Sequence, residues 1–313
     1  VSQPRDLVLS IGRLYCDLIF RGLDALPVLG EERFAREVSL VPGGGAFITA
    51  AHLAALGSKA ALLARIGTDP LSGAIAPALR VSGVDLRWLE SAADAGPQPT
   101  VAMVKGGDRA FLSRRAGSAR PATLDDALAS PAVRHLHIAE FATLAEIPDL
   151  VIAAKHAGLS VSLDPSWDDD LIHDPELVAR CAGVDILMPN AAEARAIAGV
   201  ETLDEAGAWL SRHFPIVVIK DGADGARMFR GVGQVGLPAP QGVPVLDTTG
   251  AGDAFNAGFL TAWLSGQPDR EALAQAIACG TISVGAVGGA GQRLEPAEVE
   301  RLSAGILAQP AHV

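Results

Sequence analysis

Aromatic side chains are scarce in this chain: one Tyr, nine Phe and four Trp among 313 residues. Its core must therefore be built from Ala, Leu, Val and Ile, and the 49% apolar content supplies enough surface to bury. Cysteine is equally sparse. Cys16, Cys181 and Cys279 stand far apart with no metal-ligand spacing, so reduced thiols in a cytoplasmic protein are expected. Basic charge is in deficit, with 25 Lys and Arg against 36 Asp and Glu and a formal charge of −11. That argues against nucleic acid as a partner and confines anion binding to local groups. No apolar run approaches the length of a membrane span, and Val1 to Asp6 carries no hydrophobic signal segment. A soluble protein with no membrane partner is the expectation. Several catalytic motifs are also missing. There is no Gly-Lys pair for a Walker loop, no G-x-S-x-G and no H-E-x-x-H, and Ile48 stands where a dinucleotide fingerprint needs its third glycine.

What is present is an alternation of short β-rich runs and longer helical ones, which favours a mostly parallel sheet with covering helices. Strands are expected at Leu7–Ile11, Leu18–Phe20, Glu37–Val41, Lys59–Ile66, Val133–Ile138, Ser160–Asp164, Ile186–Met188 and Ile216–Lys220. Helices are expected at Ala46–Leu56, Leu71–Val81, Ala251–Leu264, Arg270–Val287 and Pro296–Leu307, which makes the last third helical. Between 86 and 113 the pattern changes to short strands, Leu86–Leu89, Val101–Val104 and Ala110–Ser113, with Gly106-Gly107-Asp108 as a hairpin turn. These pieces and those near 18–41 suit a small second sheet beside the core, placed as a lid over a site. Without an internal repeat or a low-complexity linker, one α/β core spanning 1–313 with a lid from segments near 16–41 and 98–114 is the expected organisation.

The most informative stretch is Asp247-Thr248-Thr249-Gly250-Ala251-Gly252-Asp253, followed by the apolar helical run from Ala254. Small residues let a ligand approach the backbone, and free N–H groups opening a helix form an anion site. An aspartate inside such a site repels phosphate unless it has a further task. Accepting a proton from an attacking hydroxyl is such a task, and it belongs to phosphotransfer onto an alcohol. The bland alternative makes Asp253 a favourable charge in a first helical turn.

Other polar residues fall at expected strand ends, where ligands bind in open α/β sheets. They are Asp17, Asp164, Asn190, and Lys220 with Asp221 and Gly222. Taken singly, each is explained as a helix cap. Pro42-Gly43-Gly44-Gly45 invites close approach of a ligand or serves as a hinge. His135 and His137 alternate on a strand and read as structural.

Pro42-Gly43-Gly44 leading into Ala50–Gly57, then Arg65–Asp69 and Gly83-Val84-Asp85, resembles the first signature region of the ribokinase-like carbohydrate kinases, the PfkB family. Asp247–Asp253 matches their second signature without a mismatch, and Pro189-Asn190 with Glu193 and Val217–Lys220 with Gly222 and Gly225 follow the family's order. The resemblance covers nearly the whole chain. It implies a three-layer α/β/α core with a β lid, ATP and Mg²⁺ as cofactors, and a homodimer through the lid. It makes Asp253 the base and the amides of Gly250, Ala251 and Gly252 the anion hole. Asp253, at a helix N-terminus, is expected to stay ionised and weakly basic. Asn190 and Glu193 would order Mg²⁺ and the phosphates, and Lys220, Gly222, Gly225 and Gly252 would hold the nucleotide. Asp17, Gly43, Gly44 and Glu140 would hold the acceptor. Asp247 and Thr249, near Ser283–Gly291, resemble a monovalent-cation (K⁺) site.

Three departures bear on the acceptor. Ile48, beside Thr49, replaces the asparagine of the first signature; Tyr15 replaces another; and Asp164-Pro165-Ser166-Trp167-Asp168 loses the basic residue of D-x-N-x-R. They argue against ribose and against an acceptor bearing a second phosphate. The resulting expectation is an ATP-dependent kinase for a primary hydroxyl of a small sugar or sugar acid. The alternatives are a nucleoside kinase, with Tyr15, Phe47 and Phe141 stacking on a base, and a non-catalytic sugar- or nucleotide-binding regulator. Arg109 reaches in from the lid or stays solvated on its hairpin.

Overall fold

The computed structural model describes residues 5–105 and 108–309. Its strands, in chain order, begin with β1 (Leu7–Ile11), β2 (Tyr15–Arg21), β3 (Glu37–Gly43) and β4 (Lys59–Ile66). Then follow β5 (Leu89–Ser91), β6 (Pro99–Lys105), β7 (Asp108–Ser113), β8 (Val133–Ile138) and β9 (Ser160–Leu163). The last are β10 (Ile186–Leu187), β11 (Ile216–Lys220), β12 (Ala226–Arg230) and β13 (Gly233–Leu237). Nine of them form one sheet in the order β13-β12-β11-β10-β9-β8-β1-β4-β5, parallel except at β12 and β13. The other four form a small sheet in the order β3-β2-β6-β7.

Both faces of the large sheet are covered. β1 is buried at every position, as a strand between two helical layers must be. On one side Val8, Leu62, Met188 and Val218 pack against the helices Gly45–Ala55, Ala251–Leu264 and Asp269–Ser283. On the other, Leu9, Ile11, Leu136, Leu163 and Ile219 pack against helices that include Leu150–His156 and Leu203–Leu210. The polar row His135, His137, Ser160 and Ser162 lies within the first of these layers. Both imidazoles are fully buried and bonded to the two serine hydroxyls at 2.7 to 2.9 Å, so they are structural. The three cysteines are buried and unpaired.

Every connection of the small sheet to the core meets Arg13. Its guanidinium donates to Gln98 ahead of β6, to Ala116 and Gly117 after β7, and to Glu146. Its carbonyl lies where a side chain on Gly44 would sit, 2.2 Å from the would-be Cβ, and Gly44 has φ 92°. Only glycine leaves β3 by that route.

Three elements differ from the sequence expectation. Leu86–Leu89 is not a strand, although Asp85 bridges to Ala61; β5 begins at Leu89. The helix expected to Val287 ends at Ser283, ahead of the glycine-rich segment. The β12–β13 hairpin lies within the chain's last third, which had been expected to be helical beyond β11. Its strands alternate weakly, Ala-Arg-Met-Phe-Arg and Gly-Gln-Val-Gly-Leu, and it closes the sheet edge antiparallel. The turn expected at Gly106-Gly107 lies outside the described residues, while β6 and β7 on either side pair antiparallel.

Candidate active site

The helix Ala251–Leu264 opens at Gly250, whose φ of 73° is the left-handed conformation and whose would-be Cβ stands 2.4 Å from the Gly289 Cα. A glycine is required there, and it sets the opening of the helix beside a cavity of about 900 Å³, with the Ala251 N–H donating back to the Thr248 carbonyl at 3.2 Å. Asp17, Gly44, Glu140, Asn190, Glu193, Lys220, Gly222, Thr249, Gly250, Gly252 and Asp253 all line that cavity. A second cavity of about 410 Å³, mostly apolar, shares Lys220, Gly222, Thr248 and Gly252 with it and adds Gly225 and Ala251. The two spaces thus meet at the opening of one helix.

Of the remaining sequence candidates, Gly43 lies under the Asp17 side chain; a Cβ there would be 2.0 Å from Oδ2. Asp247 is buried behind the loop, where Oδ2 accepts from Gly288 N at 2.9 Å and Oδ1 from Thr249 N at 2.8 Å. Burial works against its charge, but these bonds and nearby Arg109 hold its carboxyl below the usual range. Among the described residues no group of three or more His, Cys, Asp or Glu side chains is arranged to hold a metal ion.

The other carboxylates behave differently. Burial, with the neighbouring Asp164 charge, pushes Asp253 up to about 7, against opposing help from Lys220 and Thr49. This corrects the expectation that a helix N-terminus keeps Asp253 fully ionised: desolvation outweighs the dipole. Asp17 is pushed to about 7 by burial and by Asp247, and Glu193 to about 7 by burial and Asp164. Burial also raises Glu140, which stands at the N-cap position of the helix Phe141–Glu146 and accepts from Arg13 N at 3.1 Å and Thr143 Oγ1 at 2.9 Å. Asn190 and Glu193 form a reciprocal capping box on the helix Ala191–Ala198, so each has a structural duty beside any other.

Sequence reasoning missed several partners. Lys220 Nζ stands 2.5 Å from Asp164 Oδ2, and Asn256 bridges to both. The Lys220 ammonium lies 3.4 Å from the position a Gly252 Cβ would take, just under the loop. Thr49 donates to Asp253 Oδ1 at 3.4 Å, so the residue beside Ile48 brings a hydroxyl to the site. Phe255, Val243, Val245 and Ile277 line the second cavity and carry no local motif. Phe47 and Phe141 are core residues, 2% exposed each, and do not face the cavity; Tyr15, Phe111 and Trp167 do. Arg109 reaches from β7 to the Thr248 hydroxyl and lies 3.7 Å from Asp247.

The family model described as pfkB family carbohydrate kinase matches residues 5–295. The chain belongs to the pfkB family. It is 29% identical over 290 residues to an ATP-dependent ribose-1-phosphate kinase of Halopiger xanaduensis, covering 90% of this chain and 93% of that protein. To a fructokinase of Escherichia coli it is 30% identical over 241 residues, covering 70% and 76%. The solved structure of Arabidopsis thaliana ribokinase with ribose and ATP superposes with a TM-score of 0.83 at 24% identity, over 96% of this chain and 99% of that one. The three-layer core with its smaller sheet is therefore the pfkB architecture. Within that family pattern, the basic group absent at position 168 is not absent from the cavity. Arg115, after β7, enters it and pairs with Asp168 at 2.7 Å.

Proposed function

We propose that the protein is an ATP-dependent kinase that phosphorylates a hydroxyl, primary by preference, of a small sugar or sugar acid. The carrying observation is the convergence of Asp253 and the Gly250–Gly252 backbone where the polar and apolar cavities join. The polar cavity suits an acceptor, because Asp17 and Glu140 accept hydrogen bonds from hydroxyls. The apolar one suits a purine, and Gly222 at φ 56° and Gly225 at φ 100° shape its approach.

In this reading Asp253 takes the proton of the acceptor hydroxyl as that oxygen bonds to the γ-phosphorus. The bond from phosphorus to the β,γ-bridging oxygen breaks, and ADP leaves. The Gly250, Ala251 and Gly252 amides offset the charge on the equatorial oxygens, and Lys220 adds a cation beneath them. A proton affinity near neutrality suits Asp253 to this task, since it lies close to the working pH. Mg²⁺ fits the donor set, one buried carboxylate (Glu193) and an amide (Asn190) beside space for water, and when bound it would neutralise phosphate charge. Asp247 and Thr249 remain the candidates for K⁺.

The small sheet acts as the lid: Arg109 ties it to the Thr248 hydroxyl, so closure and loop order are coupled. Its outer strands expose Val38, Leu40 and Leu112, which suits a homodimer through this sheet. Cytoplasmic residence agrees with the three reduced thiols. A nucleoside acceptor is the second reading, favoured by Tyr15, Phe111 and Trp167 on the cavity wall. ADP formation from MgATP across sugars, sugar acids and nucleosides, beside Asp253→Asn, tests the proposal. Acceptor-dependent turnover lost in the variant supports it. Binding of ATP or a sugar without turnover points to a regulator.

A further inference from the structure

Ser166, after β9, is the sole non-glycine residue among those described with a left-handed backbone, at φ 55°. That conformation costs about 1 kcal/mol for a residue with a Cβ, and it persists only where the surroundings impose it. The surroundings here are specific. Two residues before it, Asp164 is held by Lys220 and Asn256. Immediately after it, Trp167 Nε1 donates to Asp169 Oδ1 at 2.6 Å, and the indole meets His173 edge-on, with centroids 6.1 Å apart and planes at 86°. With its N–H already bonded, Trp167 has only a ring face to offer the cavity it lines. It leaves 47% of its surface uncovered, an unusual exposure for so large an apolar group. Next in the chain, Asp168 receives Asp170 N at 3.2 Å and Arg115 Nη2 at 2.7 Å. Arg115 and Tyr15, the only tyrosine of the chain, line the same cavity wall close enough to interact electrostatically. Loop, guanidinium and phenol are thus one braced unit on the wall that also bears Asp17 and Asp253.

We propose that Trp167 is a specificity-determining residue of the acceptor subsite, its indole stacking on the face of a closed acceptor ring. Asp168, Arg115 and Tyr15 brace the loop that presents it. A ring lying on the indole turns its edge hydroxyls toward Asp17 and Asp253, whereas an open-chain polyol has no face to stack. The idea rests on the kinase reading above and names the shape of its acceptor: a furanose or pyranose, free or within a nucleoside.

The test compares the wild type with Trp167→Phe and Trp167→Ala on ribose, fructose, adenosine and the open-chain polyol sorbitol. For the preferred ring acceptor, Trp167→Ala raises KM about tenfold or more, the worth of one stacked pair, while the KM for ATP stays within about twofold. Trp167→Phe shows a smaller rise. Sugars against adenosine show which kind of ring is taken. In parallel, each acceptor is titrated without ATP and intrinsic fluorescence is read; the change seen in the wild type disappears in Trp167→Phe. An acceptor KM unchanged in Trp167→Ala, equal use of sorbitol, or a fluorescence change that survives in Trp167→Phe would overturn the proposal. If Trp167→Ala does not fold, the phenylalanine variant decides. If no compound is phosphorylated, the kinase reading fails by itself. The titration still reads Trp167, and silence with every ring compound overturns the stacking.

Discussion

Asp253 shows how burial decides what a residue can do. Read as a helix-capping charge it is inert; placed beside Asp164 under a desolvating loop it binds a proton near neutral pH. Replacing it with asparagine keeps the shape and removes the proposed base, so kcat is expected to fall by about 10²–10⁴ while ATP still binds, as measured by calorimetry. The same environment sets the pH dependence. Asp253, Asp17 and Glu193 are each raised to about 7, so the free enzyme holds protons there that catalysis requires it to lose. The pH profile of kcat/KM should therefore fall below pH 7 by at least about tenfold per unit. A flat profile to pH 5.5 would remove Asp253 from the base's role. At this scale the sequence was legible where a residue belongs to a local motif, as with Asp253, Asn190 and Glu193. It was illegible where the partner comes from far along the chain. Lys220 with Asp164 and Asn256, or Thr49 with Asp253, are pairs that only the sheet order brings together.

The element scale carries its own tests. The turn into Ala251–Leu264 leaves no room for a side chain at position 250, because Gly289 fills it and φ is positive. Gly250→Ala is expected to destabilise by about 1–3 kcal/mol, read by denaturant melts, and to abolish turnover even where the fold survives. In β8 the two buried histidines lie well below their usual range, His135 at about 3 and His137 at about 4, chiefly through desolvation. The unfolded chain therefore binds more protons than the folded one between those values and about 6.5. Their contribution is complete above pH 6.5 and lost as the pH falls. The raised carboxylates act in the opposite sense, so the comparison is between variants: His135→Asn should flatten the acid loss of stability relative to the wild type. Elements with strong periodicity or clear caps, such as β4 and Pro70–Val81 with its Asp69 cap, were readable to within a residue. The β12–β13 hairpin was not, since its pairing to β11 is imposed by the sheet and hardly signalled by alternation.

For the whole molecule, the proposed lid role of the small sheet means that its closure would keep water from a site that would otherwise hydrolyse ATP. Arg109→Ala severs its tie to Thr248, so acceptor-independent ATP hydrolysis should rise by about threefold or more, followed by phosphate release. Sedimentation of the intact chain, with Leu112→Glu as a control on the exposed strand β7, checks the homodimer: association should be lost in the variant. The layered core was legible because its strands and helices alternate along the chain. The apolar cavity was not, because it is assembled from loop and helix residues of ordinary kind. One further consequence follows from Arg13. All the passages between the two sheets converge on that single side chain and the glycine beside its carbonyl. The chain passages into and out of the four-stranded module thus share one anchor, apart from its packing and the Arg109 tie to Thr248. A substitution at Arg13 would therefore loosen all four passages together while leaving the Gly250–Asp253 segment unaltered in sequence.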